Sequence, residues 1–297
     1  MKEEKKEPEL SIVIVTWNSE EVIKDCLDSV YSQKDDLDFE VSVVDNDSYD
    51  DTKKIIRENF PQVDLITNKE NSGYSIANNQ GVEKSKGEFV LLLNPDVKLI
   101  SGFLLKSLDF MKINPEAGAL GPQLLNPDGS IQPSCREFPG FSTVIWELFG
   151  FSYLFPKSRV FGRWRMGYFD HSTTKEVHQP MGSALVLRKR TLDQIGTFDT
   201  DFKIFFSDVD LCKRICDSGW KIYFYPEAKA FHLRGSSTGK AKPEMIFLSH
   251  LGFFKFLKKY KKGIFNKFLL IIFGSVLFIG ALVRFLFYYL RKILGYK

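Results

Sequence analysis

The chain has 297 residues, 44% hydrophobic and 26% charged, with a formal net charge of +4. That balance belongs to a globular protein, excludes a disordered or collagen-like chain, and gives room for one large domain or two smaller ones. Its four cysteines, Cys26, Cys135, Cys212 and Cys216, are too scattered for a disulfide framework; Cys212 and Cys216 stand one helical turn apart with no further ligand at zinc spacing.

The N-terminal MKEEKKEP is mixed in charge and lacks the apolar core of a signal peptide, so residues 1–8 read as a disordered leader and the bulk of the chain as cytosolic. Residues 11–16, SIVIVT, predict a first buried strand. Asn18-Ser19 can cap the helix that follows, whose apolar residues Val22, Ile23, Leu27, Val30 and Tyr31 recur at helical spacing. A second strand over 40–44 ends at Asp45-Asn46-Asp47 and is followed by a helix over 51–60. A third strand covers 63–67 and a helix 74–84. Next comes FVLLL, 89–93, which must stop at Asn94-Pro95-Asp96 because proline cannot continue a central ladder. Strands alternating with helices predict a mostly parallel sheet covered on both faces.

The middle of the chain is less regular. It predicts a helix over 103–111, a short strand over 119–121, a turn at 127–130, and an aromatic-rich insertion over 140–170 whose rings serve as core. A strand at 184–187, a short helix at 191–195, a helix ended by Gly219, and a strand from Trp220 to Tyr225 stopped by Pro226 complete it.

The tail differs in kind. After Glu244 there is no acidic residue but ten Lys or Arg; set against the whole-chain +4, they leave −6 on the first 244 residues. Such a split calls for an anionic partner, nucleic acid or membrane. Residues 247–262 mix Leu, Phe and Lys at helical spacing, and 268–283 are sixteen uncharged, mainly apolar residues, which suit lipid better than nucleic acid. As a helix those sixteen reach about 24 Å, short of a hydrocarbon core of about 30 Å. If Arg284 snorkels, the apolar stretch extends to Leu290 and suffices to span. Either one span or an interfacial amphipathic helix fits, with the lysine-rich side cytoplasmic.

Three polar clusters end predicted strands: Thr16-Trp17-Asn18, Asp45-Asn46-Asp47 and Asn94-Pro95-Asp96. In a parallel sheet those ends share one edge, the edge at which ligands bind. Alone, Asn94-Pro95-Asp96 reads equally as a turn or as a carboxylate that holds a divalent cation against a diphosphate. No G-x-G-x-x-G follows the first strand and no G-x-x-x-x-G-K-[ST] occurs, which argues against a dinucleotide dehydrogenase and a P-loop NTPase.

The segments SIVIVTWNS, VVDNDSYDDT, NSGYSIANNQGVEKSKGEFVLLLNPDV, MGSALVLRKR, FDTDFKIFFSDVDLCKRICDSGWKIYFYPEA and FHLRGSS occur in this order. With them the chain, over about residues 10–240, resembles family 2 inverting glycosyltransferases of the GT-A fold, most of all the rhamnosyltransferase-like branch that builds lipid-linked polysaccharides. The resemblance implies an α/β GT-A domain over 9–240, a mostly parallel mixed sheet with helices on both faces, followed by a basic, membrane-associated segment over 241–297. It further implies a nucleotide-diphospho-sugar donor, a lipid-linked or cell-surface glycan acceptor, Mg²⁺ or Mn²⁺, and work at the cytoplasmic face of the cell membrane.

Carried onto this chain, the resemblance gives Asp45 the base or ribose, with Thr16 and Asn18 lining the same pocket. Asn71 and Gly73 would let the backbone approach the donor. Asp96 matches the second acid of the family's DxD motif and would ligate the metal, while Asn94 stands where the first acid is usual and joins the donor side. Asp208, in FFSDVDL, would be the general base that takes the acceptor hydroxyl's proton. Ser207 replaces the first acid of that pair, and Asp210 would be structural, bonding a nearby Arg or a backbone amide. Arg136, Gly182, Ser183 and Arg234 fall on the acceptor or phosphate side. His232 is either a metal or diphosphate ligand or a structural histidine. Two competing readings remain open: a sugar-phosphate nucleotidyltransferase, whose Gly-rich loop is missing after residue 16, and a non-catalytic, membrane-tethered nucleotide-sugar-binding relative, suggested by Asn94 and Ser207.

Overall fold

The β-branched run at the start of the chain is β1 (Leu10–Thr16), buried throughout except at half-buried Val15. The structure, a computed structural model, describes residues 7–34, 37–233 and 242–293; most of the leader, and Arg234, lie outside the described residues. β1 pairs in parallel with β2 (Phe39–Asp45) on one side and β4 (Phe89–Leu93) on the other, and β3 (Asp64–Thr67) adds in parallel to β2. Beyond β4 the sheet becomes mixed. β11 (Ala184–Arg188) runs antiparallel between β4 and β6 (Ala117–Leu125), β12 (Lys221–His232) runs parallel to β6, and β5 (Val97–Leu99) closes the edge antiparallel to β12. Two-residue strands β7 (Ile131–Gln132) and β9 (Lys175–Glu176) pair with β6 and β12, while β8 (Cys135–Arg136) and β10 (Gln179–Pro180) form a separate ribbon.

The central strands read as unbroken apolar runs because both of their faces are covered. Ile12, Ile14, Leu91 and Leu93 pack with α1 (Ile23–Tyr31), α2 (Thr52–Asn59) and α4 (Phe103–Ile113). Val13, Val90 and Leu92 point the other way, into α3 (Tyr74–Lys84), α7 (Lys189–Ile195) and α8 (Ser207–Asp217). Cys212 belongs to that second core and carries no disulfide.

Two expectations need correction. Pro226 does not stop its strand: β12 runs on to His232, and its register against β6 slips between Tyr225 and Lys229. The missing proline N–H thus falls in an irregularity of the ladder, where it breaks no bond. The aromatic insertion is only partly core. Trp146, Phe151 and Phe161, from α5 (Phe141–Leu148), α6 (Phe151–Leu154) and the loop after, pack edge to face, but Phe149, Tyr153 and Phe155 are exposed.

The tail forms two helices, α9 (Lys242–Tyr260) and α10 (Ile264–Ile293). α9 is part of the domain's packing: Phe256 joins Phe202 and Val209, and Phe253 and Leu257 join Val144. α10 lies antiparallel along α9, with Phe285 against Phe247 at one end and Gly274 against Phe254 towards the other.

Candidate active site

The parallel register levels the ends of the first strands. Thr16 pairs with Asp45, Asp45 with Thr67, and Ile14 with Leu93, so the three polar clusters do open onto one edge. Asp45 is fully buried. Its Oδ1 accepts from Ser48 N at 3.0 Å, with Lys53 Nζ at 3.9 Å, whereas its Oδ2 has no hydrogen-bond partner among the described residues. Thr16 Oγ1 is in the same condition. Buried polar atoms are almost always bonded, so two orphaned oxygens at one strand edge suit a hydrogen-bonding ligand. Asn18 sits at φ +51°, its N–H donating to Ser48 Oγ at 2.8 Å and its Oδ1 accepting from Tyr49 N at 3.0 Å. It fastens the first strand-end loop to the second.

Asn71 Oδ1 accepts from Gly73 N at 3.1 Å, and Gly73 has φ +90°. A Cβ there would lie 3.0 Å from the Lys203 carbonyl, and Tyr74 N donates to that carbonyl at 2.8 Å. The close approach seen at Gly73 is therefore to the loop that leads into α8.

Asp96 follows β4 after Pro95. The β5–β12 pairing sets His232 opposite Val97, and His232 Nε2 lies 3.6 Å from Asp96 Oδ1, both side chains being largely buried. His232 Nδ1 meets Gln132 Oε1 at 2.7 Å. That contact puts the ring proton on Nδ1, so in the neutral imidazole the Nε2 lone pair faces Asp96, as a metal-binding histidine is held by an outer partner. Nothing in the sequence marked Gln132. Asn94 contributes its backbone, its N–H donating to Ser183 O at 2.8 Å and so tying β4 to the start of β11. No group of three or more His, Cys, Asp or Glu converges among the described residues. An Asp–His pair fits a divalent cation that takes its other ligands from phosphate and water.

Asp208 lies in the first turn of α8, which Phe206 enters at φ +67°, a left-handed conformation costly for a phenylalanine. Ser207 Oγ donates to Ile204 O at 2.8 Å, within that turn. Asp208 Oδ2 accepts from Gly182 N and from Gln179 Nε2, each at 3.1 Å. A Cβ on residue 182 would come within 2.9 Å of Asp208 Cβ, so only glycine brings its N–H this close. Burial raises the Asp208 pKa, opposed by the Gly182 and Val209 N–H groups and the Arg136 charge. Arg136 reaches this carboxylate through the β8–β10 ribbon, in which it pairs with Gln179, and its guanidinium lies over the Trp164 ring at 5.1 Å. Tyr74 OH donates to Gly182 O at 3.1 Å; burial, then the charges of Asp208 and Asp96, hold its phenol well above its ordinary value. Tyr74 therefore feels both acids. It and Gln179 are further site residues that sequence reasoning missed. Ser183 Oγ is buried with no hydrogen-bond partner among the described residues.

Asp210 is fully buried and structural. Arg214 Nε donates to it at 2.9 Å, as anticipated, but Lys259 Nζ at 2.6 Å and Tyr260 OH at 2.7 Å come from α9.

A mixed, mostly parallel sheet covered by helices on both faces, with polar strand ends at one edge, is the GT-A fold. The fold is similar to that of a mannosyltransferase from Pyrobaculum calidifontis solved in complex with GDP-Man and Mn²⁺ (TM-score 0.59, 18% identity, 93% of this chain and 70% of that one). It is also similar to S. aureus TarS 1-349 in complex with UDP (TM-score 0.52, 18% identity, 82% of this chain and 65% of that one). Residues 11–196 match the profile described as Glycosyl transferase family 2, and the chain belongs to that family. Among curated relatives it is 28% identical over 270 residues to the N-acetylglucosaminyl-diphospho-decaprenol L-rhamnosyltransferase of Mycobacterium tuberculosis, covering 86% of this chain and 85% of that protein. It is 31% identical over 138 residues to the GalNAc(5)-diNAcBac-PP-undecaprenol beta-1,3-glucosyltransferase of Campylobacter jejuni, 45% of this chain and 43% of that protein.

Proposed function

We propose that the protein is an inverting glycosyltransferase that moves a sugar, with rhamnose the first candidate, from a nucleotide-diphospho-sugar to a hydroxyl of a lipid-linked or cell-surface glycan at the cytoplasmic face of a membrane. The observation that carries this reading is Asp208: a buried carboxylate, fixed from two sides by Gly182 N and Gln179 Nε2, beside a second site made by Asp96 and His232. One carboxylate to take a proton and another acid to face a diphosphate are the two parts that a single displacement needs.

In this reading Asp45 Oδ2 and Thr16 Oγ1 receive hydrogen bonds from the donor's base or ribose. Asp208 takes the proton of the acceptor hydroxyl as that oxygen attacks the anomeric carbon, and Arg136 and the Gly182-Ser183 turn orient the acceptor or its phosphate. Asp96 and His232 would hold Mg²⁺ or Mn²⁺, which supplies neutralisation of the leaving diphosphate. The acceptor class is supported by the names of the two relatives, both of which specify lipid-diphosphate-linked substrates. The membrane location is supported by α10, whose 264–290 stretch is long and apolar enough to cross a bilayer, with mean hydropathy 2.5.

The test is to incubate the full chain with a panel of nucleotide sugars and a polyprenyl-diphosphate-linked sugar, with and without Mn²⁺, and to read the product's anomeric configuration. Transfer with inversion is expected. Retention at the anomeric centre, or no transfer from any donor by a folded protein, overturns the reading.

A further inference from the structure

The tail carries a second feature that the transfer chemistry does not use. α9 is bolted to the catalytic domain. Lys259 Nζ bonds both Asp199 and Asp210 at 2.6 Å, Lys255 Nζ donates to Asp201 O at 2.7 Å, and a Cβ on Gly252 would sit 2.9 Å from Phe205 O. α10 follows α9 along its apolar length: Phe285 and Phe247 have ring centroids 5.4 Å apart, Gly274 packs on Phe254, and Phe273 stacks on Phe141 of α5 at 4.9 Å. A helix laid against one that is fixed to a polar domain cannot cross a bilayer in this arrangement. Only 11% of its most apolar window is nevertheless covered by protein, and Phe268, Ile271, Phe278 and Ile279 stand exposed. Phe149 and Leu154, around the start and end of α6, are also exposed apolar residues, and α5 of the same segment contacts α10 through Phe141. An apolar face with a basic flank is the composition of a helix that lies in the membrane plane.

At the α9–α10 turn a groove of about 650 Å³ has Phe254, Leu270 and Ile271 as its apolar wall and Lys258, Lys261, Lys262 and Lys267 around it. It continues along α10 into a shallower groove of about 490 Å³ beside Gly274, Ser275 and Phe278. Four lysines line this groove, and since no acid follows Glu244 in the sequence, no carboxylate of the tail offsets their charge. Cations at one end and an apolar trough leading away match a lipid with a phosphate headgroup and an acyl chain.

We propose that the α9–α10 hairpin is an in-plane membrane-docking surface, and that its lysine-rimmed groove seats the phosphate of an anionic membrane lipid with a chain laid along Leu270, Ile271 and Phe278. The proposal rests on the membrane attachment inferred above and is independent of the transfer chemistry.

The experiment is flotation of the full chain with vesicles of phosphatidylcholine alone or with about one-third phosphatidylglycerol, in low and high salt. Preferential, salt-sensitive binding to the anionic vesicles is expected. Lys258→Gln/Lys261→Gln/Lys262→Gln/Lys267→Gln should lower that partition at least about tenfold at unchanged melting temperature. Equal binding to both vesicles overturns the lysine site while leaving attachment intact; binding to neither overturns both. Full displacement by millimolar inorganic phosphate would reassign the groove to a free anion and overturn the lipid. Spin labels at Phe268→Cys, Ile271→Cys, Phe278→Cys and Ile279→Cys should report one common shallow depth. Depths that pass through the bilayer midplane along this series overturn the in-plane arrangement even if the lysine variant fails to fold.

Discussion

To serve as the general base proposed above, Asp208 must ionise, and it sits where ionisation is disfavoured. Burial raises its pKa, while the Gly182 and Val209 N–H groups and Arg136 bring it part of the way back. Two outcomes follow. Asp208→Asn should reduce kcat by about 10²–10⁴-fold with donor binding retained. Because an aspartate whose folded pKa is raised loses stability as pH climbs from its unfolded to its folded pKa, neutralising it removes that loss and should keep the melting temperature at neutral pH at or above wild type. The acid limb of the pH–rate profile should lie above the ordinary aspartate value of about 4, and Arg136→Gln should move it higher still, since the Arg136 charge favours the carboxylate. On the other acid, Gln132 fixes the His232 ring beside Asp96. Gln132→Leu should raise the Mn²⁺ concentration for half-maximal activity about 10–100-fold and leave the Km for acceptor unchanged.

At the scale of elements, the first turn of α8 is held from behind by α9. Asp210, fully buried two residues after Asp208, takes hydrogen bonds from Arg214, Lys259 and Tyr260. Asp210→Ala leaves Arg214 without its carboxylate and Lys259 with Asp199 alone, and should cost up to about 3–5 kcal/mol of stability, read as a lowered unfolding midpoint with earlier proteolytic release of α9. The strand-end acids were legible in sequence because an apolar run that halts at a polar residue can only be a strand reaching an edge. The residues that serve them were not. Gln132, Gln179 and Tyr74 meet the site across sequence separations that only the β7–β6–β12 pairings, the β8–β10 ribbon and the α3–loop contact close. Read as a strand stop, Pro226 leaves His232 off the sheet, whereas the register slip carries the strand past the proline to His232.

For the whole molecule, α9 packs against the body of the chain although its composition groups it with the tail. A cut after about residue 240 removes α9 as well as α10, uncovering Phe202, Phe206 and Phe256's contacts and stripping Lys259 from Asp199 and Asp210. Such a truncation should release the protein from membranes but yield an unstable product. A cut after Gly263 keeps α9, and should leave a soluble protein that retains donor binding while no longer floating with vesicles. Sequence alone determined the alternation of strands and helices, the strand-edge acids Asp45 and Asp96, and a cationic, apolar tail, because each is written in local periodicity and residue type, while Asp208 was singled out only by the resemblance of FFSDVDL to the family's motif. Only the tertiary structure decided that His232 faces Asp96, that Gly182 holds Asp208, and that α9 packs as part of the domain with α10 laid along it. Those are contacts between segments far apart in the chain, set by sheet register and helix packing, for which no short stretch of sequence carries a signal.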